Sequence, residues 1–211
     1  MNLIVMAKAP VPGRCKTRLC PPCTPAEAAA VAEAALADTL ETVAETGARP
    51  VLALDGSPGP WLPAGFRVLP QRGGGLDERL ANAWDDAGGP AVQIGMDTPQ
   101  VTVALLESAI AALEAPGTGA VLGPAVDGGW WALGMHVAHR RALIGVPMST
   151  PFTGAIQRRR LVALGLRVGT LPELRDVDRF DDALAVAADA PRSRFARAVA
   201  GSGIAGEAVA S

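Results

Sequence analysis

Four cations, Lys8, Arg14, Lys16 and Arg18, fall within the segment Lys8-Ala9-Pro10-Val11-Pro12-Gly13-Arg14-Cys15-Lys16-Thr17-Arg18-Leu19. Lysine and arginine neutralise phosphate charge, and arginine does so with two parallel hydrogen bonds. Pro10, Pro12 and Gly13 shape the loop, and Gly13 lets the backbone approach a ligand closely. The apolar run just before it, Leu3-Ile4-Val5-Met6, reads as a buried strand. A basic loop after a first parallel strand is where an α/β protein places a phosphate-bearing ligand. The residues therefore favour nucleotide use over a merely solvated basic loop. Lys16-Thr17 invites comparison with the P-loop pattern G-x-x-x-x-G-K-[ST]. The glycine frame is missing, Cys15 precedes the lysine, and the next helix signal comes only at Thr24.

Carboxylates form the second chemical group. In Ile94-Gly95-Met96-Asp97-Thr98-Pro99, Asp97 stands at the carboxyl end of an apolar strand, just before a helix signal. A carboxylate there can hold Mg²⁺ or Mn²⁺, which in turn neutralises a diphosphate. The alternative is a helix cap, but Thr98 reads as filling that position and leaves Asp97 available. Asp176-Val177-Asp178-Arg179-Phe180-Asp181-Asp182 places four carboxylates at a strand-to-helix junction. Asp181 and Asp182 suit the positive end of a helix macrodipole. Asp178, and with less force Asp176, suits a metal.

Two glycine-containing segments complete the set. Gln71-Arg72-Gly73-Gly74-Gly75 precedes a helix signal, and its N–H groups can face an anion or a base. Gln71 offers a donor and an acceptor, as base recognition requires. A simple flexible loop is the competing reading. Asp127-Gly128-Gly129-Trp130-Trp131 reads either as the wall of an acceptor pocket, with Asp127, Gly128 and Trp130 in it, or as a turn with core tryptophans.

The elements that must position these residues alternate. Residues 2–7, 50–54, 66–69, 91–95 and 119–123 read as short buried strands, and residues 25–46, 76–87 and 99–114 as helices. This β-α-β order predicts an α/β fold, a mostly parallel sheet with helices on both faces. Thr24-Pro25 opens the first helix with Glu27 as a capping box, and Thr98-Pro99 and Thr150-Pro151 repeat the Thr-Pro start. Ala29, Leu36, Leu40 and Val43 share the face expected to pack on the sheet. Farther on, Gly128–Gly134 reads as a turn followed by a strand, antiparallel pairing being one option, then 150–164 as helix, 166–171 as strand and 180–189 as helix. The expected organisation is a single domain over residues 1–200 and a flexible tail over 201–211.

Composition excludes several classes. The chain has 211 residues, 49% of them hydrophobic, and a net charge of −2. That balance argues against a general nucleic-acid binder and for a small anionic ligand. No apolar stretch is long enough to span a bilayer and no targeting signal is visible, so a cytoplasmic location is expected. Three cysteines, Cys15, Cys20 and Cys23, read as free thiols. His136 and His139 lie in a stretch without nearby acids, so no Ser-His-Asp arrangement is legible.

Taken in order, the motifs Lys8-x-Pro10-x-Pro12-Gly13-x-x-Lys16-Thr17-Arg18-Leu19, Gln71-x-Gly73-x-Gly75-x-x-Glu78-Arg79, Gly95-x-Asp97-x-Pro99, Gly123-Pro124-x-x-Asp127-Gly128-Gly129 and Asp176-Val177-Asp178 carry a resemblance over about residues 1–190. The chain resembles the bacterial glycosyltransferase-like family of radical-SAM/selenodomain-associated transferases. That family is similar to the GT-A-type nucleotide-diphospho-sugar transferases, with the molybdenum-cofactor nucleotidyltransferases, 2-phospho-L-lactate guanylyltransferase and CMP-KDO synthetase among its relatives. The resemblance implies a Rossmann-like GT-A fold, three-layer α/β/α with a mixed, mostly parallel sheet. Val177-Asp178 followed by Asp182 is similar to a sugar-nucleotidyltransferase segment whose first aspartate binds metal, which implies Asp97 and Asp178 as the metal pair. Trp130 and Trp131 stand where the family usually has tyrosines, and Arg179 replaces a threonine.

The expected activity is a metal-dependent nucleotidyltransferase that joins a nucleotide to a small acceptor and releases pyrophosphate. Lys16, Asp97 and Asp178 would be catalytic. Lys8, Pro12, Gly13, Arg14, Lys16, Arg18, Gln71, Gly73 and Gly74 would hold the nucleotide. A glycosyltransferase using an NDP-sugar and a non-catalytic nucleotide-binding module are the alternatives. The base, the acceptor and the oligomeric state, a homodimer among its options, stay open.

Overall fold

The computed structural model describes residues 1–203; the expected tail continues over 204–211, outside the described residues. Seven strands form one sheet: β1 (Asn2–Lys8), β2 (Arg49–Asp55), β3 (Arg67–Pro70), β4 (Ala91–Gly95), β5 (Ala120–Pro124), β6 (Trp130–Met135) and β7 (Val168–Thr170). Their order is β3-β2-β1-β4-β6-β5-β7. β6 runs antiparallel to β4 and β5, and every other pairing is parallel. The carboxyl ends of β1, β2, β3, β4, β5 and β7 therefore share one edge, and β6 begins there. This is the α/β architecture with a mostly parallel sheet that the β-α-β order predicts, and it is Rossmann-like, as the resemblance implies.

Among the described residues seven α-helices accompany the strands: α1 (Pro25–Ala44), α2 (Leu76–Ala87), α3 (Val103–Glu114), α4 (Arg140–Leu143), α5 (Thr153–Ala163) and, after β7, α6 (Phe180–Asp189) and α7 (Arg194–Ala200). The pleat of β1 sorts them. Leu3, Val5 and Ala7 point into a core shared with Ala32, Leu36 and Leu40 of α1 and Leu106, Ala109 and Leu113 of α3. Ile4 and Met6 point the other way, toward Leu80 and Trp84 of α2, Leu143 of α4 and Leu161 of α5. A strand buried on both faces must be apolar at every position, which is why Leu3–Met6 lacks alternation.

α1 is buried on a second face as well. Ala28, Val31 and Ala35 pack with Ala183 and Val186 of α6, Phe195 and Val199 of α7, and Leu19, Cys23 and Val177. This third cluster ties the basic loop to the C-terminal helices. Gly201–Gly203 continue from α7, and Ser202 is buried with its hydroxyl donating to the Val199 carbonyl at 2.9 Å.

The helix starts show which local signals hold. The Thr24 hydroxyl accepts from Glu27 N at 3.2 Å, and the Glu27 carboxylate accepts from Thr24 N at 2.7 Å. α3 instead starts at Val103 and not at Pro99, because Thr102 is its cap and accepts from Leu105 N at 3.2 Å. Thr98 is buried in a turn in which its carbonyl accepts from Val101 N. Thr150-Pro151 likewise forms a turn that precedes α5, which begins at Thr153. β7 is shorter than the expected 166–171, and the short helices α4 and α7 carry too few turns to show a period. No helix among the described residues is long and apolar enough to cross a membrane.

Phe195 is fully buried in the third cluster, so Phe195→Ala is expected to lower stability by about 3–5 kcal/mol. Hydrogen exchange should show the loss of protection extending to Leu19 and Cys23. Protection changes confined to α6 and α7 would contradict this account of the cluster.

Candidate active site

A cleft of about 520 Å³ opens along the carboxyl edge of the sheet. The sheet order sets its long axis. At one end lie Asp55 at the end of β2 and Gln71 after β3; in the middle lie Lys8 at the end of β1 and Asp97 after β4; at the other end lie Asp127 between β5 and β6 and Asp176 beyond β7.

Lys16 is the centre of the middle section. Its backbone adopts a left-handed conformation with φ 47°, which costs a non-glycine residue roughly 1 kcal/mol. Only 14% of its side chain is exposed. The ammonium reaches the Asp97 carboxylate and donates to the Val177 carbonyl. Val177 N in turn donates to the Asp97 carbonyl at 2.8 Å. Three segments remote in sequence thus meet at one lysine. The other non-glycine residue with positive φ among the described residues, Ser149, also lines the cleft.

The acidic groups differ in circumstance. Asp178 is held by Arg18 through contacts of 2.8 and 3.1 Å. Asp176 has no such partner. Burial, followed by the charge of Asp127 and then Asp97, pushes its carboxyl from the ordinary 3.8 up to about 6. Asp127 folds onto its own turn, accepting from Gly129 N at 2.7 Å. Asp182 caps α6, accepting from Arg179 N at 2.9 Å, as its position in the acidic run implies.

Lys8, Arg14, Lys16, Arg18, Gln71, Asp97, Asp127, Trp130 and Asp178 all line the cleft. Pro12, Gly13, Gly73, Gly74 and Gly128 are not among its lining residues. Gly13 has φ 71°. A side chain at Gly128 would lie 2.0 Å from the Pro151 carbonyl oxygen, so this turn admits glycine alone. The Gly74 N–H is taken by the Glu78 carboxylate at 2.8 Å and does not face an anion. Gln71 also departs from expectation: its amide N–H groups donate to the carbonyls of Ala7 at 2.8 Å and Ala53 at 2.9 Å. Only its oxygen is left for a ligand. Trp131 belongs to the core, its indole N–H on the Pro172 carbonyl at 2.9 Å, whereas Trp130 faces the cleft with its buried Nε1 unpaired. The core reading thus holds for Trp131, while Trp130 lines the cleft.

The structure adds residues that the motifs do not mark. Asp55 lies 3.2 Å from Arg79 and 4.0 Å from Lys8. Its signal was present: like Asp97, it ends an apolar strand and precedes a tight turn, at Gly56. Cys15 is buried in the cleft wall, where burial pushes its thiol up. The three cysteines are free.

The family model described as an uncharacterized protein conserved in bacteria, DUF2064, matches residues 27–150. This chain belongs to the DUF2064 family. The matched stretch holds Gln71, Arg79, Asp97 and the Asp127 turn; the basic loop and Asp176 flank it. No curated protein is significantly similar in sequence. Among solved structures, a proposed nucleotide-diphospho-sugar transferase from Desulfovibrio desulfuricans is 23% identical, with TM-score 0.83 and 94% of each chain covered. A CMP:2-keto-3-deoxy-manno-octonic acid synthetase complexed with CTP has TM-score 0.55 at 11% identity, covering 90% of this DUF2064 chain and 98% of that one. A cytidylyltransferase from Leptospira borgpetersenii has TM-score 0.56 at 12% identity, with 94% and 91% covered. At these identities the likeness establishes a shared fold.

The raised Asp176 carboxyl gives a signed expectation. Its proton binds more tightly in the folded state, so the stabilisation is complete below about 3.8 and is lost as pH rises through about 6. Asp176→Asn should therefore raise Tm at pH 7.5, by a few degrees for a change on the order of 2 kcal/mol. The gain should fade as pH drops from 6 to below 4. Thermal denaturation across that range checks it; a pH-independent change would rule out the charge as its cause.

Proposed function

We propose that this chain is a nucleotidyltransferase, joining a nucleotide from a nucleoside triphosphate to a small acceptor with release of pyrophosphate. The observation that carries this reading is the meeting of a four-cation loop and a cluster of aspartates across one cleft, with Lys16 on Asp97 as their point of contact.

Metal dependence is part of the proposal. Asp97, Asp176 and Asp127 offer oxygen donors only, which suits a hard divalent cation such as Mg²⁺ or Mn²⁺. The negative charge that pushes Asp176 up is what such a cation would relieve. Among the described residues no three acidic, histidine or cysteine side chains already converge as a ligand set. The site thus suits a cation that completes its shell with substrate phosphates. Asp97 and Asp176 would hold it; Asp178, paired with Arg18, is better placed to orient that arginine than to ligate. When bound, the cation would neutralise phosphate charge and favour attack at phosphorus.

The protein's own contribution is positioning and charge. Lys8, Arg14 and Arg18 bind the triphosphate oxygens. Lys16, fixed by Asp97 and the Val177 carbonyl, sits where charge builds on the departing pyrophosphate. The acceptor enters from the Asp127–Trp130 end. Its oxygen forms a bond to the α-phosphorus, the bond from that phosphorus to the β-bridging oxygen breaks, and pyrophosphate takes up the electron pair. Holding both reactants in line accounts for much of the rate.

A second reading, glycosyl transfer from an NDP-sugar, is favoured by the likeness to the Desulfovibrio protein. Incubation with NTPs and NDP-sugars distinguishes the two, since the first yields pyrophosphate and the second free NDP. Asp97→Asn and Lys16→Met should each lower turnover by about 10²-fold or more while leaving the fold intact by circular dichroism. Full activity in either variant would refute the mechanism.

A further inference from the structure

The end of the cleft formed by β2 and β3 is lined by groups that the transfer chemistry does not use. Asp55, the last residue of β2, turns its carboxylate into the cleft beside Arg79. Gln71 stands next to it after β3. Both hydrogens of its amide are committed to the carbonyls of Ala7 and Ala53, so toward the cleft it is an acceptor and nothing else. Arg79 points one terminal nitrogen at Asp55 and keeps further N–H groups free. Gln93, also on the floor, is fully buried and already paired with the Trp84 indole. Leu76 and Leu80 of α2 supply apolar surface alongside. Apart from the Lys8 ammonium, 4.0 Å from Asp55 and assigned above to the triphosphate, the half-apolar recess offers two acceptors and one donor.

Its position suits a nucleobase. β2 and β4 lie on either side of β1, two strand spacings or about 10 Å apart. A ligand whose phosphates lie at Lys16 and Asp97 would span that distance with its ribose and place its base at Asp55.

We infer that this recess selects guanine, so that the nucleotide of the reaction is a guanosine nucleotide; the inference rests on the nucleotide reading proposed above. The pairing edge of guanine presents two donors, N1–H and the 2-amino group, and one acceptor, O6. Adenine presents one of each, and cytosine and uracil each present one donor and two acceptors. Guanine is thus the base with more donors than acceptors, the complement of what Asp55, Gln71 and Arg79 offer. The Asp55 carboxylate spans N1–H and the 2-amino group, as a charged acceptor with two oxygens does best. Arg79, aligned by Asp55, donates to O6. The Gln71 oxygen takes the remaining amino hydrogen. A cytosine here would face two acceptors with one donor and leave buried oxygens unpaired, which is where discrimination arises.

The experiment is calorimetric titration of the full chain with GTP, ATP, CTP, UTP, ITP and XTP in the presence of Mg²⁺. GTP should bind about tenfold or more tightly than ATP, CTP and UTP, and ITP, which lacks the 2-amino group, should lose a similar factor. Asp55→Asn replaces one acceptor oxygen by a donor. It should weaken GTP and strengthen XTP, whose C2 carbonyl accepts, reversing their order; a merely structural role for Asp55 would weaken both alike. Comparable binding of all the triphosphates, or a preference for CTP, would overturn the guanine assignment and leave the nucleotidyltransferase reading standing. Failure of every triphosphate to bind would overturn both.

Discussion

The Lys16 ammonium reaches the Asp97 carboxylate and the Val177 carbonyl, and Val177 N closes the arrangement on the Asp97 carbonyl. Remove that cation, and three loops from the first, middle and last parts of the chain have no common partner. Lys16 is largely buried but Asp97 is half exposed, so the contact matters more for fixing geometry than for net stability, surface pairs being commonly worth under about 1 kcal/mol. It also explains a backbone that would otherwise be unfavourable: Lys16 keeps a left-handed conformation because its neighbours fix where the side chain must go. A residue held this firmly in an unfavourable conformation is preorganised, and preorganised charge is what stabilises a transferring phosphoryl group most effectively.

Around that contact the fold does two separate jobs. The parallel strands bring their carboxyl ends to one edge, so that loops after β1, β2, β3, β4 and β5 all face the same cleft. The one reversed strand, β6, lets the chain re-enter the sheet from that edge, which is why Trp130 at its start faces the cleft while Trp131, one residue on, faces the core. Glycines make this re-entry feasible. Gly128 and Gly154 sit against carbonyl oxygens of Pro151 and Gly129 at separations no side chain tolerates.

Much of this was legible in the sequence, and the reasons are local. β1 is apolar over Leu3–Ala7, and β4 apart from Gln93, because both faces are covered, and each leads into a chemistry-bearing loop. The Thr24–Glu27 capping box is a contact over three residues, so spacing alone reveals it. The misreadings are those where a tertiary partner decides. Thr98 and Thr102 are both plausible caps by type, and burial of Thr98 selects the latter. Gln71 reads as a donor and acceptor until its amide is seen bonded to two strands. Asp176 and Asp178 stand two residues apart, and the sequence favours Asp178 for a metal. Only the tertiary approach of Arg18 to one and of Asp97 and Asp127 to the other separates them.

The third hydrophobic cluster has a consequence for how the protein is made. Leu19 and Cys23, which anchor the basic loop, are buried against Phe195 and Val199. The contacts span most of the chain, and such long-range pairings form late because a large loop must close first. During synthesis the sheet and its first helices can assemble from the amino end, yet the cation loop rests on α1 alone, without Phe195 and Val199, until α7 has emerged. The nascent chain therefore carries its cationic loop only partly fastened until α6 and α7 have emerged.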